Sequence, residues 1–237
     1  MPNLTLTNEL QVTLQGIVPA ESVAVVDRIM NEAEPFEYSN EGQHLANAVV
    51  TRRNEFIAGR RCARAALSGL GETACALPAN ADGIPAWPKT TVGSISHTRG
   101  LCCAVAAPAA KLLCLGVDIE KTTRLSPRAM LRVVHPLEAS FVGDDQVKGS
   151  LLFSAKEAFF KAQFPKWGAQ PNFKDLALHI DTESEQLSVV EIAQSLPKSL
   201  CDAATRMQFR YRFFGDYVVT VCWLNRLHLL AQPRELL

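Results

Sequence analysis

The sequence predicts an α+β protein built as two similar halves, and three features of its patterning carry that expectation. A stretch of helical period over 45–70 is followed by two short strand-like runs, 92–96 and 101–107. A second helical stretch, 151–163, is followed by four further strand-like runs. No low-complexity segment or flexible linker separates the two, so the halves are expected to pack together with any site between them. The division is placed at 113/114, giving an N-terminal subdomain 1–113 and a C-terminal subdomain 114–237 in a pseudo-twofold arrangement.

Taken in order, residues 1–40 offer only short alternating pieces, Leu4-Thr5-Leu6 and Val12-Thr13-Leu14. From Leu45 the pattern turns helical: Leu45, Val49, Phe56, Ala63 and Leu67 fall near one face, and Gly69 with Gly71 marks the end. Gly59 interrupts this helix at a cost of about 1 kcal/mol relative to alanine, so a close approach by a neighbour is expected there. A loop punctuated by proline and glycine, Pro78 to Pro88, leads to strands at Val92–Ser96 and Leu101–Ala107, and the Pro108 turn to a third at Cys114–Ile119. Residues 121–150 read as a loop with one or two short helices. The next helix, from Leu151 to Gln163, is expected to end at Pro165. Strands follow at Leu176–Ile180, Leu187–Ile192, Met207–Phe213 and Tyr217–Leu224, the last two joined in a hairpin by Gly215-Asp216.

Composition narrows the function. Lys plus Arg is 24 and Asp plus Glu is 24 in 237 residues, so no bulk charge favours nucleic acid or a membrane surface. With 48% hydrophobic and 20% charged residues the chain is not disordered, fibrous or coiled-coil. The seven cysteines include no C-x-x-C pair and suit buried thiols in a reducing compartment. The most apolar stretch, Leu101 to Gly116, is broken by Pro108 and Lys111 and falls short of the roughly 18 to 20 apolar residues that span a bilayer. The first thirty residues lack a basic start followed by an apolar block. A soluble cytoplasmic protein is expected, with no nucleic-acid and no membrane partner.

Four clusters carry candidate chemistry. In Gly116-Val117-Asp118-Ile119-Glu120, strand alternation puts Asp118 and Glu120 on one face, where two carboxylates repel unless a cation joins them. Hard oxygen ligands select Mg²⁺ or a similar ion, and the plain alternative is a solvated edge strand. In Ser154-Ala155-Lys156-Glu157-Ala158-Phe159-Phe160-Lys161, the residues Leu152, Ala155, Phe159 and Ala162 form an apolar stripe. Glu157 and Lys161 lie one turn apart, either as an ordinary ion pair or as a third oxygen ligand beside phosphate-binding Lys156 and Lys161. In Gly93-Ser94-Ile95-Ser96-His97, alternation sets both serines on one face with Ile95 inside, and position 97 breaks a serine-hydrolase elbow. Arg52, Arg53, Arg60, Arg61 and Arg64 crowd the first helix, as a solvated face or as bidentate phosphate binders.

These residues resemble the 4'-phosphopantetheinyl transferases. Gly116-Val117-Asp118-Ile119-Glu120 and Phe153 to Lys161 look like the two signature motifs of that superfamily. The run Arg52-Arg53-Asn54-Glu55-Phe56 to Leu67, then Gly83-Ile84-Pro85-Ala86-Trp87-Pro88 and Gly93 to His97, resembles its siderophore-synthetase branch. The resemblance runs in order over about residues 50–163. Where related sequences often carry a basic residue shortly before the second of these segments, this chain has Pro78-Ala79-Asn80-Ala81-Asp82.

The resemblance implies transfer of the phosphopantetheine arm of coenzyme A, as substrate, to a serine of an apo acyl or peptidyl carrier protein. It implies Mg²⁺, with Mn²⁺ as the substitute ion, and a monomer whose two halves flank the site. Carried over by position, Asp118, Glu120 and Glu157 match metal ligands and Lys156 and Lys161 match diphosphate contacts. Arg52, Arg60, Ser96 and His97 match the 3'-phosphate and adenine side. Glu157 and Lys161 would be catalytic, with the serine proton passing to Glu157 directly or through a water. Two readings stand beside this one: a metal-dependent nuclease or phosphodiesterase, and a binding module without turnover. Arg124, Arg128, Met130, Leu131 and Arg132, spaced as a short amphipathic helix, are the candidates for carrier docking.

Overall fold

In the computed structural model, which describes residues 4–45 and 47–226, two antiparallel sheets meet along facing edge strands. The first contains β1 (Val23–Arg28), β2 (Thr91–Thr98) and β3 (Leu101–Pro108) in the order β1-β3-β2. The second contains β4 (Leu112–Lys121), β5 (Leu176–Asp181), β6 (Gln186–Ile192), β7 (Gln208–Phe214) and β8 (Tyr217–Asn225) in the order β4-β8-β7-β6-β5. The helices are α1 (Leu4–Gln15), α2 (Val50–Gly69), α3 (Pro127–Val133), α4 (Ala139–Val142), α5 (Gln146–Trp167) and α6 (Lys198–Ala204). The architecture is α+β, with α2 packed on the first sheet and α5 on the second.

The N-terminal forty residues correct the sequence reading. The alternating pieces belong to α1, whose buried residues Thr7, Leu10 and Leu14 recur at helical spacing while Val12 is exposed. The helical signal is masked because a threonine stands at a buried position and a valine at an exposed one. Next to α1 lies β1, an edge strand that the pattern did not reveal. The Gln11 and Gln15 side chains reach it: each accepts from a backbone N–H, of Val26 and Ala24 respectively, and each donates to a carbonyl, of Ala24 and Ser22. Two glutamines one turn apart thus act as a surrogate strand on an edge that would otherwise stay open.

Three differences concern the helices. α2 starts at Val50 rather than Leu45, with Val49 exposed outside it. α5 starts at Gln146, where the Asp145 carboxylate accepts from the N–H groups of Val147 and Lys148. It runs through Pro165 and ends at Gly168, in the left-handed region at φ 61°. A proline in the last turn removes one hydrogen bond without stopping the helix.

Two glycines set the distance between layers. At Gly116 of β4, a Cβ would lie 2.0 Å from the Ala158 carbonyl oxygen and 2.6 Å from the Ala162 nitrogen, so the α5 backbone rests directly on the strand. At Gly59 a Cβ would lie 2.9 Å from Ile95 Cγ2, the close approach expected for α2. One apolar cluster lies under α5, another under α2. A third, containing Leu10, Leu14, Val105, Val117, Ile119, Val219 and Val221, is shared by both sheets.

Candidate active site

The seam between the sheets is closed by side chains. The N–H of Val117 donates to Ser94 Oγ at 3.1 Å and that of Ile119 to Ser96 Oγ at 3.3 Å, so two serines of β2 satisfy the edge of β4. Asp118, between these residues, is 3% exposed. Its Oδ1 accepts from Ser96 Oγ at 2.8 Å and from Lys161 Nζ at 2.6 Å, and Lys161 also donates to Ser96 Oγ at 2.8 Å. Asp118 Oδ2 is buried without a hydrogen-bond partner. Burial pulls the Lys161 ammonium down, but the Asp118 charge and hydrogen bond outweigh it and hold the group above its ordinary value.

Two more carboxylates face this point. Glu120 is half-buried, with Arg124 Nε 3.5 Å from its Oε1; burial and then the Asp118 charge push it up to about 7. Burial raises Glu157 as well, with Lys161 opposing and Asp118 adding to the shift. Among the described residues no three His, Cys, Asp or Glu side chains already form a ready cage for a metal ion. The donor chemistry nevertheless fits a hard divalent cation. One buried carboxylate oxygen lacks a partner, and two adjacent carboxylates carry a charge that burial disfavours.

Beside the seam a cavity of about 650 Å³ opens between the halves. Arg52, Glu55, Phe56, Gly59 and Arg60 of α2 form one wall, Asp82 to Pro85 a second, Ser94, Ile95 and His97 of β2 the floor, and Phe160, Lys161 and Phe164 of α5 the far side. Arg60 is 5% exposed, lies 4.0 Å over the Phe56 ring, and donates through Nε to the Leu77 carbonyl at 2.5 Å. Burial lowers it to about 10. Arg52 Nη1 lies 3.3 Å from both Glu55 Oε2 and His97 Nε2. Burial holds His97 below its ordinary value, Glu55 opposes, and Arg52 and Lys161 add to the lowering.

Residues 40–107 match the model of the 4'-phosphopantetheinyl transferase N-terminal domain, and residues 114–222 match that of the 4'-phosphopantetheinyl transferase superfamily. The chain belongs to the 4'-phosphopantetheinyl transferase superfamily. It is 36% identical over 153 residues to the 4'-phosphopantetheinyl transferase Svp of Streptomyces mobaraensis, covering 62% of each chain. It is 35% identical over 147 residues to the 4'-phosphopantetheinyl transferase Npt of Nocardia iowensis, covering 60% of this chain and 65% of that one. It thus spans just under two thirds of these curated relatives. Among solved structures it is similar to holo-[acyl-carrier-protein] synthase (AcpS) from Neisseria meningitidis, at 21% identity and TM-score 0.39 over 47% of this chain and 97% of that one. A likeness that loose carries no argument.

Of the positions that resemble transferase site residues, the structure gathers Asp118, Glu120, Glu157 and Lys161 at the seam and Arg52, Arg60 and His97 on the adjoining cavity. Two positions are corrected. Lys156 does not face the cavity. It is 3% exposed, and its ammonium donates to the carbonyls of Val133 at 2.9 Å and Phe173 at 2.8 Å and to Glu138 Oε2 at 2.8 Å. With all three protons used inside the protein, it has none for a diphosphate. Ser96 is the second: it is 3% exposed and its hydroxyl is fully engaged by Asp118, Lys161 and Ile119, so it sits behind the cavity rather than in it. The serine face of β2 is accordingly the buried one, and Ile95, expected inside, is half-buried against Gly59 at the cavity floor.

The arginines also divide. Arg61 pairs with Asp27 at 2.6 Å and Glu34 at 2.7 Å, and Arg64 with Glu37 at 2.6 Å and buried Glu41 at 2.7 Å. These two hold α2 to the segment before it and leave Arg52 and Arg60 for the cavity. In the candidate docking segment, Arg128, Leu131 and Arg132 are exposed on α3. Met130 instead packs against Gly149 of α5, and Arg124 turns to Glu120 and the Phe153 ring. Sequence reasoning missed Glu55, on the cavity wall, and Glu138, the buried partner of Lys156. Only Glu55 left a signal, one helical turn from Arg52.

Proposed function

We propose that this chain transfers the 4'-phosphopantetheine arm of coenzyme A to a serine hydroxyl of an apo acyl or peptidyl carrier protein, releasing adenosine 3',5'-bisphosphate. The observation that carries this reading is a cavity lined by Arg52, Arg60 and His97 that adjoins, through Lys161, the carboxylate centre of Asp118, Glu120 and Glu157. A ligand bearing a 3'-phosphate at one end and a diphosphate further along suits both. We assign the enzyme to the siderophore-synthetase branch, acting as a monomer in the cytoplasm, with residues 1–113 on the nucleotide side and 114–237 on the metal side.

Arg52, Arg60 and His97 bind the 3'-phosphate; Arg60 is preset by its bond to Leu77 and its stacking on Phe56. Lys161 keeps one N–H for the diphosphate after serving Asp118 and Ser96. Asp118, through Oδ2, with Glu120 and Glu157 would hold Mg²⁺, or Mn²⁺ in its place. When bound, that ion neutralises charge on the diphosphate and its leaving oxygen. The carrier serine Oγ forms a bond to the phosphorus that bears the pantetheine arm. The anhydride P–O bond breaks, and its electron pair leaves on the adenosine bisphosphate. Glu157 accepts the serine proton, directly or through a water. The chain therefore supplies no nucleophile of its own. The carrier docks on α3, where Arg128, Leu131 and Arg132 project, with exposed Leu137 just beyond.

The test is mass spectrometry of apo carrier proteins after incubation with coenzyme A and Mg²⁺. A phosphopantetheine-sized gain is expected, lost when the carrier serine is replaced by alanine. No gain on any fatty-acid, polyketide or siderophore carrier would overturn the assignment. Arg128→Glu with Arg132→Glu should raise KM for the carrier and leave KM for coenzyme A unchanged; an unchanged carrier KM removes α3 as the docking face.

A further inference from the structure

The two serines of β2 make the same kind of bond across the seam but differ in what else they touch. Ser94 Oγ accepts from Val117 N–H and Ser96 Oγ from Ile119 N–H, at 5% and 3% exposure. Ser96 alone donates to Asp118 Oδ1 and alone accepts from Lys161 Nζ. Its one proton and two lone pairs are thus all engaged, by three groups from the other half of the chain. A hydroxyl held at three points has one orientation, and it aims its proton at Asp118 Oδ1, where Lys161 also donates. The consequence is visible on the opposite oxygen: Oδ1 takes both hydrogen bonds, and Oδ2 is the buried acceptor with none.

We propose that Ser96 is a positioning residue that locks Asp118 through Oδ1, so that Oδ2 is the atom presented to a divalent cation. Resting on the transferase reading, this makes cation affinity depend on the seam between the halves. Ser96 belongs to β2, next to His97 on the nucleotide wall, whereas Asp118 and Lys161 belong to β4 and α5. A ligand that moves β2 therefore reaches the Asp118 carboxylate directly through the Ser96 hydroxyl.

Ser94→Ala provides the matched control, since it deletes an equivalent seam bond without touching Asp118 or Lys161. Both alanine variants should lower the denaturation midpoint, Ser96→Ala by more, because it loses its bonds to Asp118 and Lys161 as well as the seam bond. Loss of an outer partner of a metal ligand typically weakens metal affinity or activity about 10- to 100-fold. Mn²⁺ binding, measured by calorimetry and electron paramagnetic resonance in the presence of adenosine 3',5'-bisphosphate, should weaken by about that factor in Ser96→Ala and much less in Ser94→Ala. The kcat of Ser96→Ala should fall while KM for coenzyme A changes little, and Ser96→Thr should restore most of the Mn²⁺ affinity. Equal Mn²⁺ affinity in the two alanine variants, with a wild type that binds Mn²⁺ and transfers, overturns the positioning role and leaves the transferase reading intact. A wild type that neither binds Mn²⁺ nor transfers overturns both. If Ser96→Ala does not fold, Ser96→Thr and Ser96→Cys decide: Mn²⁺ affinity must follow hydrogen-bonding capacity, threonine above cysteine, and identical affinities overturn the proposal.

Discussion

Helix α5 carries four lysines, and two of them, Lys156 and Lys161, form pairs with a buried carboxylate from another segment. Lys156 meets Glu138 at 2.8 Å with side chains 2% and 0% exposed; Lys161 meets Asp118 at 2.6 Å with side chains 26% and 4% exposed. Around Lys156 the hydrogen bonding is complete. Glu138 Oε1 accepts from Leu178 N–H and Oε2 from His135 N–H as well as the lysine, whose other protons go to two carbonyls. Around Lys161 it is incomplete, because Asp118 Oδ2 has no partner and the ammonium, on a residue that lines the cavity, makes two hydrogen bonds rather than three. The first pair ties α5 to the segment before it and to β5. The second stores unmet capacity at the edge of a cavity, which is what a binding site for charge requires.

The comparison is broken most directly by removing a lysine. Lys156→Ala leaves a buried carboxylate without its counter-ion, and a loss of about 3–5 kcal/mol in unfolding free energy is expected. Lys161→Ala, in the more solvated pair, should lose distinctly less; chemical denaturation of both reads the difference, and equal losses would dissolve the contrast. Next in size is Asp118→Asn, which keeps the shape and removes the charge. Transfer should slow by roughly 100-fold or more, about 3 kcal/mol of transition-state stabilisation. Near-wild-type turnover at saturating Mg²⁺ would separate Asp118 from the chemistry.

Smaller effects sharpen the cavity side. His97→Ala and Arg60→Ala should each weaken coenzyme A by about ten- to a hundredfold, the worth of a charge-assisted bond. Dephospho-coenzyme A, lacking the 3'-phosphate, should be weakened far less; equal losses for the two ligands would remove these residues from the phosphate. The smallest effect is a pH slope. Burial keeps His97 below its ordinary value near 6.5 in the folded protein, so the unfolded chain binds the extra proton first. Its contribution to stability is present above that value and is lost as pH falls toward the folded one. A bound phosphate reverses the balance by favouring the imidazolium, so affinity for adenosine 3',5'-bisphosphate, relative to adenosine 5'-monophosphate, should strengthen over the same descent. His97→Gln should flatten both trends in thermal denaturation and calorimetry.

Much of this was legible in the chain. The strands from Val92 onward, the hairpin at Gly215-Asp216 and the two long helices all announce themselves by period and punctuation, because each pattern is local. The alternation that places Asp118 beside Glu120 is equally local. The first forty residues were not legible: α1 buries a threonine and exposes a valine, and β1 is held by two glutamine side chains rather than by a second neighbouring strand. Lys156 illustrates the limit at the site. It stands beside Glu157 in a motif rich in charge, and nothing in its neighbourhood along the chain says that Glu138, Val133 and Phe173 will take all its protons.

By itself the sequence determined which residue types exist, which of them share a face of one element, and that two acidic motifs and an arginine-rich helix lie within one chain. Only the tertiary structure decided which charges are satisfied. Arg60 and Arg64 are one turn apart on α2, yet Arg64 meets Glu37 and Glu41 while Arg60 faces the cavity. Ser94 and Ser96 are two residues apart on β2, yet Ser96 alone reaches Asp118 and Lys161. The reason is physical. Period and propensity act between near neighbours along the chain, whereas a buried polar group is satisfied by whatever the fold brings within about 3 Å, for Lys156 and Lys161 from segments 17 to 65 residues away.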